Sequence, residues 1–174
     1  VWALITRITI PSKVVTISVG SLSKFSNLTY LYIPNSVQKI EKGALEACTR
    51  LEYLRLPFIG EKYTLSKNDC LGVIFGASSY TEQPSFVPAS LREIVISKES
   101  EIADYAFAGC TQLEHVTIEK ATRIGFAILE GCSSLRSLSV PFIGSQSKGE
   151  CLGYYFGEKW WDKNVRCVPL SLES

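Results

Sequence analysis

Leu51-Glu52-Tyr53-Leu54-Arg55-Leu56-Pro57 decides the fold, because the chain says the same thing six times. Ile5 to Pro11, Leu28 to Pro34, Leu91 to Ser97, Leu113 to Glu119 and Leu135 to Pro141 carry the same L-x-x-L-x-L-P pattern or a close variant. Apolar residues hold positions i, i+3 and i+5 in every copy. The end of each copy, as in Leu54-Arg55-Leu56, has the period of two that marks a short strand with one buried face. Each copy is read as one strand. The closing Pro in four of the six copies removes a ladder donor and ends the strand.

Upstream of four strands runs a second pattern with constant offsets: Ile17, Leu22 and Phe25; Ile40, Leu45 and Cys48; Ile102, Phe107 and Cys110; Ile124, Leu129 and Cys132. Small residues accompany it, Ala44 with Ala47 and Ala106 with Gly109, where a tight turn has to pack against its neighbours. The step from Cys110 to Cys132 is 132−110 = 22 residues, and from Phe25 to Cys48 it is 48−25 = 23. A strand and a turn in that length make one coil of a solenoid.

A longer period overlies the short one. Pro57-Phe58-Ile59-Gly60 recurs as Pro141-Phe142-Ile143-Gly144 at a shift of 84, and Cys70-Leu71-Gly72 recurs as Cys151-Leu152-Gly153 at a shift of 81. Val87-Pro88 with Leu91 returns as Val168-Pro169 with Leu172, also at 81. The expectation is a single α/β repeat solenoid over residues 1–174, a right-handed coil of short parallel strands with turns or short helices opposite. It divides into tandem units at about 1–86 and 87–167, with insertions at about 58–86 and 142–167. The absence of Met, and of a polar capping repeat at either end, suggests a segment of a longer array.

The repeat resembles the BspA-like, or treponemal-type, leucine-rich repeat. Ser36-Val37 to Ile40, Ala44-Leu45, Cys48, Leu51, Leu54 and Leu56-Pro57 carry the likeness. Ile102, Ala106-Phe107, Gly109-Cys110, Leu113, Val116 and Ile118 carry it more closely, against the family's I-x-x-x-A-F-x-x-C-x-x-L-x-x-V-x-I. The resemblance covers the strands and turns and leaves the two insertions unexplained; Phe25 stands where the family has Cys. It implies an exported bacterial cell-surface protein that adheres to a protein or glycan on a host or neighbouring cell. A monomer is expected. An architectural spacer, or an accessory region of an enzyme, are the alternatives.

Composition narrows the partner. With 18 basic and 17 acidic residues interspersed there is no field to hold nucleic acid or an anionic membrane surface. No apolar run reaches the roughly eighteen residues of a spanning helix.

Catalytic, metal and cofactor sites are expected to be absent. No G-x-S-x-G, H-E-x-x-H or phosphate loop occurs, and no C-x-x-C pair supports zinc. His115 lies five residues after Cys110, but the repeat turns Cys110 into the core and His115 outward. Cys48, Cys110 and Cys132 hold the position that Phe25 fills, so they read as buried, reduced thiols. Cys151 and Cys167 could close a loop, although Cys167 matches Phe86, which cannot bond. The sequon Asn27-Leu28-Thr29 carries little weight, since Leu28 is a core strand position.

If Leu51, Leu54 and Leu56 point inward, Glu52, Tyr53 and Arg55 point out, and stacking turns such positions into columns on one face. Tyr30, Tyr32 and Tyr53 then neighbour one another, with Arg7 and Arg55 beside them. These five are the candidate partner-binding residues, since Tyr and Arg anchor interfaces most often; a cross-strand aromatic pair that only stiffens the sheet is the competing reading. Trp160 and Trp161, which match Ser79-Tyr80 or nearby residues of the first insertion, are the alternative binding site, and serve equally as local core.

Overall fold

The structure, a computed structural model, describes residues 2–63, 70–145 and 152–158. Ten short strands follow the repeat: β1 (Arg7–Thr9), β2 (Thr16–Ile17), β3 (Tyr30–Tyr32), β4 (Lys39–Ile40), β5 (Tyr53–Leu56), β6 (Glu93–Ile96), β7 (Glu101–Ile102), β8 (His115–Ile118), β9 (Arg123–Ile124) and β10 (Ser137–Ser139). Six of them form one parallel sheet in the order β1-β3-β5-β6-β8-β10, so the six copies of the pattern lie side by side as expected. Parallel neighbours force the chain to cross back behind the sheet after every strand, and those crossings close each coil.

The register explains the conserved apolar positions. Ile8, Leu31, Leu54, Ile94, Val116 and Leu138 align across the sheet. The four central members are 0–1% exposed and pack on Leu28, Leu51, Leu91, Leu113 and Leu135 from the first position of the pattern. Each such side chain contributes roughly 1.5–3 kcal/mol by leaving water. The core is a continuous apolar column along the stack.

Opposite the sheet the sequence is more specific than its periodicity suggests. Ile17 pairs with Ile40 in a two-stranded parallel sheet, and Ile102 with Ile124 in another. A two-residue strand shows no alternation, so only its buried Ile is visible in the sequence. The arcs themselves are turns, not helices: Ala44, Cys48, Cys110 and Cys132 each donate a backbone N–H to the carbonyl three residues earlier. Among the described residues there is no α-helix.

Each arc needs one residue in the left-handed region two places before its buried Leu22, Leu45, Phe107 or Leu129. Gly20 (φ 78°) and Gly43 (φ 74°) meet it freely, whereas Tyr105 (φ 59°) and Ala127 (φ 55°) take it at a cost of roughly 1–2 kcal/mol each. Tyr105 is held there by its ring, which stacks on Tyr80 at 4.5 Å and meets Phe126 edge-on at 6.1 Å.

The insertions supply arcs of their own. In the first, a 3-10 turn (Leu71–Phe75) accepts bonds from Gly43 N–H to Val73 O and from Leu45 N–H to Ile74 O. In the second, the turn Leu152–Phe156 accepts from Ala127 N–H to Tyr154 O and from Leu129 N–H to Tyr155 O. Donors and acceptors differ by 127−43 = 84 and 154−73 = 81, the two shifts seen in the sequence. On its far side the first turn donates Leu71 N–H to Ala106 O of the next coil. The fully buried Gln83 fastens the same junction: it accepts Gly72 N–H at 3.0 Å and donates to Ala108 O at 2.8 Å and Tyr105 O at 3.2 Å. Pro84 packs against Gly109, where a Cβ would come within 2.6 Å of the proline ring.

Candidate recognition face

Three columns run across the outward side of the six-stranded sheet. The first, at the strand entrances, is Thr6, Thr29, Glu52, Arg92, Glu114 and Arg136, joined by backbone bonds from each coil to the one before. The second is Arg7, Tyr30, Tyr53, Glu93, His115 and Ser137. The third is Thr9, Tyr32, Arg55, Val95, Thr117 and Ser139.

Most charges of this face neutralise one another. Glu114 lies between Arg92 at 3.4 Å and Arg136 at 3.6 Å. Arg55 makes a two-bond pair with Glu119, at 2.6 and 3.0 Å, that spans β6. The pairing holds the Glu119 carboxyl below its ordinary range, the Arg55 hydrogen bond being the main cause. Beneath the span lies Val95, the register partner of Arg55, only 7% exposed despite its outward position. Arg55 also sits 5.5 Å from the Tyr32 ring centre.

Arg7, Tyr30 and Tyr53 form a different object. The guanidinium carbon of Arg7 lies 3.8 Å from the centre of the Tyr30 ring, and Tyr30 and Tyr53 stack at 4.6 Å with their planes 5° apart. The ring spacing matches the roughly 4.8 Å between parallel strands, so the register itself stacks the rings. Tyr53 titrates above its ordinary range, through burial first and then the neighbouring Tyr30 and Glu93. Among the described residues Arg7 has no carboxylate partner, and it is exposed. Of the five candidate residues, Arg7, Tyr30 and Tyr53 thus pack in one row with Arg7 exposed, while half-buried Tyr32 neighbours Arg55, which is bound to Glu119, a contact between copies of the repeat too far apart for the pattern to reveal.

Trp160, Trp161, Cys151 and Cys167 lie outside the described residues. Tyr80, the residue of the first insertion 81 places before Trp161, is 41% exposed and stacks on Tyr105 of the next coil. Tyr105, Phe126 and Tyr154 continue an aromatic row along the turns.

Cys48, Cys110 and Cys132 are buried free thiols, and Cys70 of the first insertion is buried beside Cys110. Burial pushes the Cys48 thiol up to about 11 and the Cys132 thiol up to about 12, the opposite of what a nucleophile needs. His115 stands on the sheet face and Cys110 in the core. A cleft of about 340 Å³ separates Val19, Gly20 and Ser23 on one turn from Gly43, Ala44 and Ala47 on the next, with Glu46 as its one ionisable group. A single carboxylate offers no acid–base pair. Among the described residues no three ligating side chains are grouped to hold a metal ion, and no helix is long and apolar enough to cross a membrane.

A parallel-stranded stack of about six coils with leucines filling its interior and aligned side chains on its sheet defines a leucine-rich-repeat protein. The sequence matches the BspA type Leucine rich repeat region in six copies, over residues 2–70 and 78–151, and the chain belongs to that family. No curated protein matches it. Among solved structures it is similar to a leucine-rich repeat protein from Bacteroides ovatus, at 23% identity over 79% of this chain and 32% of that one, with a TM-score of 0.39. The T. pallidum Leucine Rich Repeat protein is 17% identical over 75% of this chain and 64% of its own, with a TM-score of 0.38. A leucine rich cell surface protein from Faecalibacterium prausnitzii is 19% identical over 79% and 42%, with a TM-score of 0.33. The chain spans less than two thirds of each of these proteins.

Proposed function

We propose that the chain is a non-enzymatic recognition module, carried on an exported bacterial cell-surface protein, that binds a protein or glycan through the first half of its sheet face. The observation behind this reading is the Arg7–Tyr30–Tyr53 stack. Aromatic and arginine side chains held in place before binding lose little freedom when a partner arrives, which is what makes them interface anchors. The equivalent positions of the second half are Glu93, His115 and Ser137, so recognition favours Arg7, Tyr30, Tyr32 and Tyr53. Arg55 supports the face through Glu119. Family membership supports the module and its surface setting; the solenoid over residues 1–174, in two tandem units, is its scaffold.

The test is a panel of purified host matrix proteins and a glycan array, probed with the chain and with its Tyr30→Ala/Tyr53→Ala variant. A partner is expected whose affinity falls by about 2 kcal/mol in the variant, while stability changes by roughly 0.5–1.5 kcal/mol, the worth of a ring pair. Full affinity in that variant, with loss in Trp160→Ala/Trp161→Ala, transfers the site to the second insertion. Silence across both panels leaves the spacer reading.

A further inference from the structure

We infer that the partner of this face is an acidic polypeptide segment, with a carboxylate meeting Arg7 and its backbone and apolar side chains lying along the edges of Tyr30 and Tyr53. The inference rests on the recognition reading and adds the chemistry of the ligand.

Three observations carry it. First, both faces of the Tyr30 ring are covered: β1 and β5 flank β3, so Arg7 lies on one side at 3.8 Å and Tyr53 on the other at 4.6 Å. Tyr53 gives one face to Tyr30, and Glu93 is the next residue of the column beyond it. A sugar platform needs an open ring face on which pyranose C–H bonds can rest, and the central ring, Tyr30, offers none. Second, what the stack shows to solvent is ring edge and hydroxyl. Aromatic edges carry the positive end of the quadrupole and so attract oxygen atoms, carbonyl or carboxylate. Third, Arg7 keeps its charge unspent. Arg55, Arg92 and Arg136 on the same face all have carboxylate partners, whereas Arg7 has none among the described residues. Its guanidinium carbon lies over the Tyr30 ring on an exposed side chain, and a guanidinium so placed can offer N–H groups to a carboxylate as a two-bond pair.

The test uses two probes: a random dodecapeptide phage library and an array of neutral and acidic glycans, each exposed to the purified chain. The expected result is a set of peptides enriched in Asp or Glu that compete with one another. Their affinity falls on the order of tenfold in Arg7→Gln and also in Tyr53→Ala, with circular dichroism unchanged. Peptides that bind without acidic residues, and are indifferent to Arg7→Gln while sensitive to Tyr30→Ala/Tyr53→Ala, overturn the acidic partner and leave the recognition face standing. Binding confined to the glycan array, with the same sensitivity, does likewise. If nothing is enriched on either probe, or if selected ligands ignore all three positions, the inference and the recognition reading fall together.

Discussion

Arg55→Ala tests whether the middle of the sheet face is held by the Arg55–Glu119 span. The substitution removes a two-bond ion pair at 2.6 and 3.0 Å whose side chains are 21% and 38% exposed. Exposed pairs are worth about 0.2–1 kcal/mol after screening, and the paired geometry places this one near the top of that range. Leaving Tyr32 costs roughly 0.5 kcal/mol more. Uncovering part of Val95 adds about 0.5 kcal/mol at 25 cal/mol per Å². The sum is about 2 kcal/mol, or a melting-point fall of roughly 4–8 °C in a domain of this size. A double-mutant cycle in urea with Glu119→Ala isolates the pair and should give a coupling of about 0.5–1 kcal/mol. The sign of its pH dependence follows from the depressed carboxyl of Glu119. The coupling is fully present above the ordinary value of 4.5 and disappears as pH falls through the lowered one. A coupling indistinguishable from zero near neutrality, or one that persists in acid while the fold survives, refutes the span as a structural element.

Gln83→Leu strands the N–H of Gly72 and the carbonyl of Ala108 in the interior, leaves the Tyr105 carbonyl with only the Ala108 N–H, and should cost about 2–4 kcal/mol by urea denaturation; a loss under 1 kcal/mol contradicts the clamp. Gly109→Ala combines a left-handed φ of 74° with overlap on Pro84, for roughly 2–3 kcal/mol, of which Pro84→Ala in the same chain should restore a measurable part. Cys48, Cys70, Cys110 and Cys132 should resist alkylation in the folded state at about pH 8 and label fully on denaturation, as read residue by residue by mass spectrometry. Rapid native labelling of any of the four contradicts their burial.

The strands are legible in the sequence because every coil repeats the same physical demand: Leu31, Leu54, Ile94 and Val116 fill one column, so their positions cannot vary without opening the core. The columns of the face follow from that register, which is why Arg7, Tyr30 and Tyr53 can be placed together from spacing alone. Interactions outside the repeat leave no such trace. Arg55 reaches Glu119 across an intervening strand, and without the span above it Val95 reads as an ordinary outward residue. The insertions are visible as repeated blocks, but Leu71–Phe75 does not announce an arc until Gly43, Leu45 and Ala106 are found bonded to it. Tyr105 is opaque for a different reason: nothing in its neighbours signals a left-handed backbone, because the stabilising contact is with Tyr80, from the insertion.

The junction made by Leu71, Gln83 and Pro84 bears on how the stack comes apart. In a linear array each coil is stabilised only by its neighbours, so opening spreads from whichever boundary is weakest. Between the third and fourth coils the chain has β5 paired to β6, a turn bonded to both flanking arcs, and a buried amide with three partners. The first and last strands of the sheet, β1 and β10, are three residues long and exposed on both outward positions. Amide exchange should therefore be slowest at β5 and β6. Tyr53 sits at that seam and Tyr30 one strand away, so the ring pair is carried by the part of the stack that opens last.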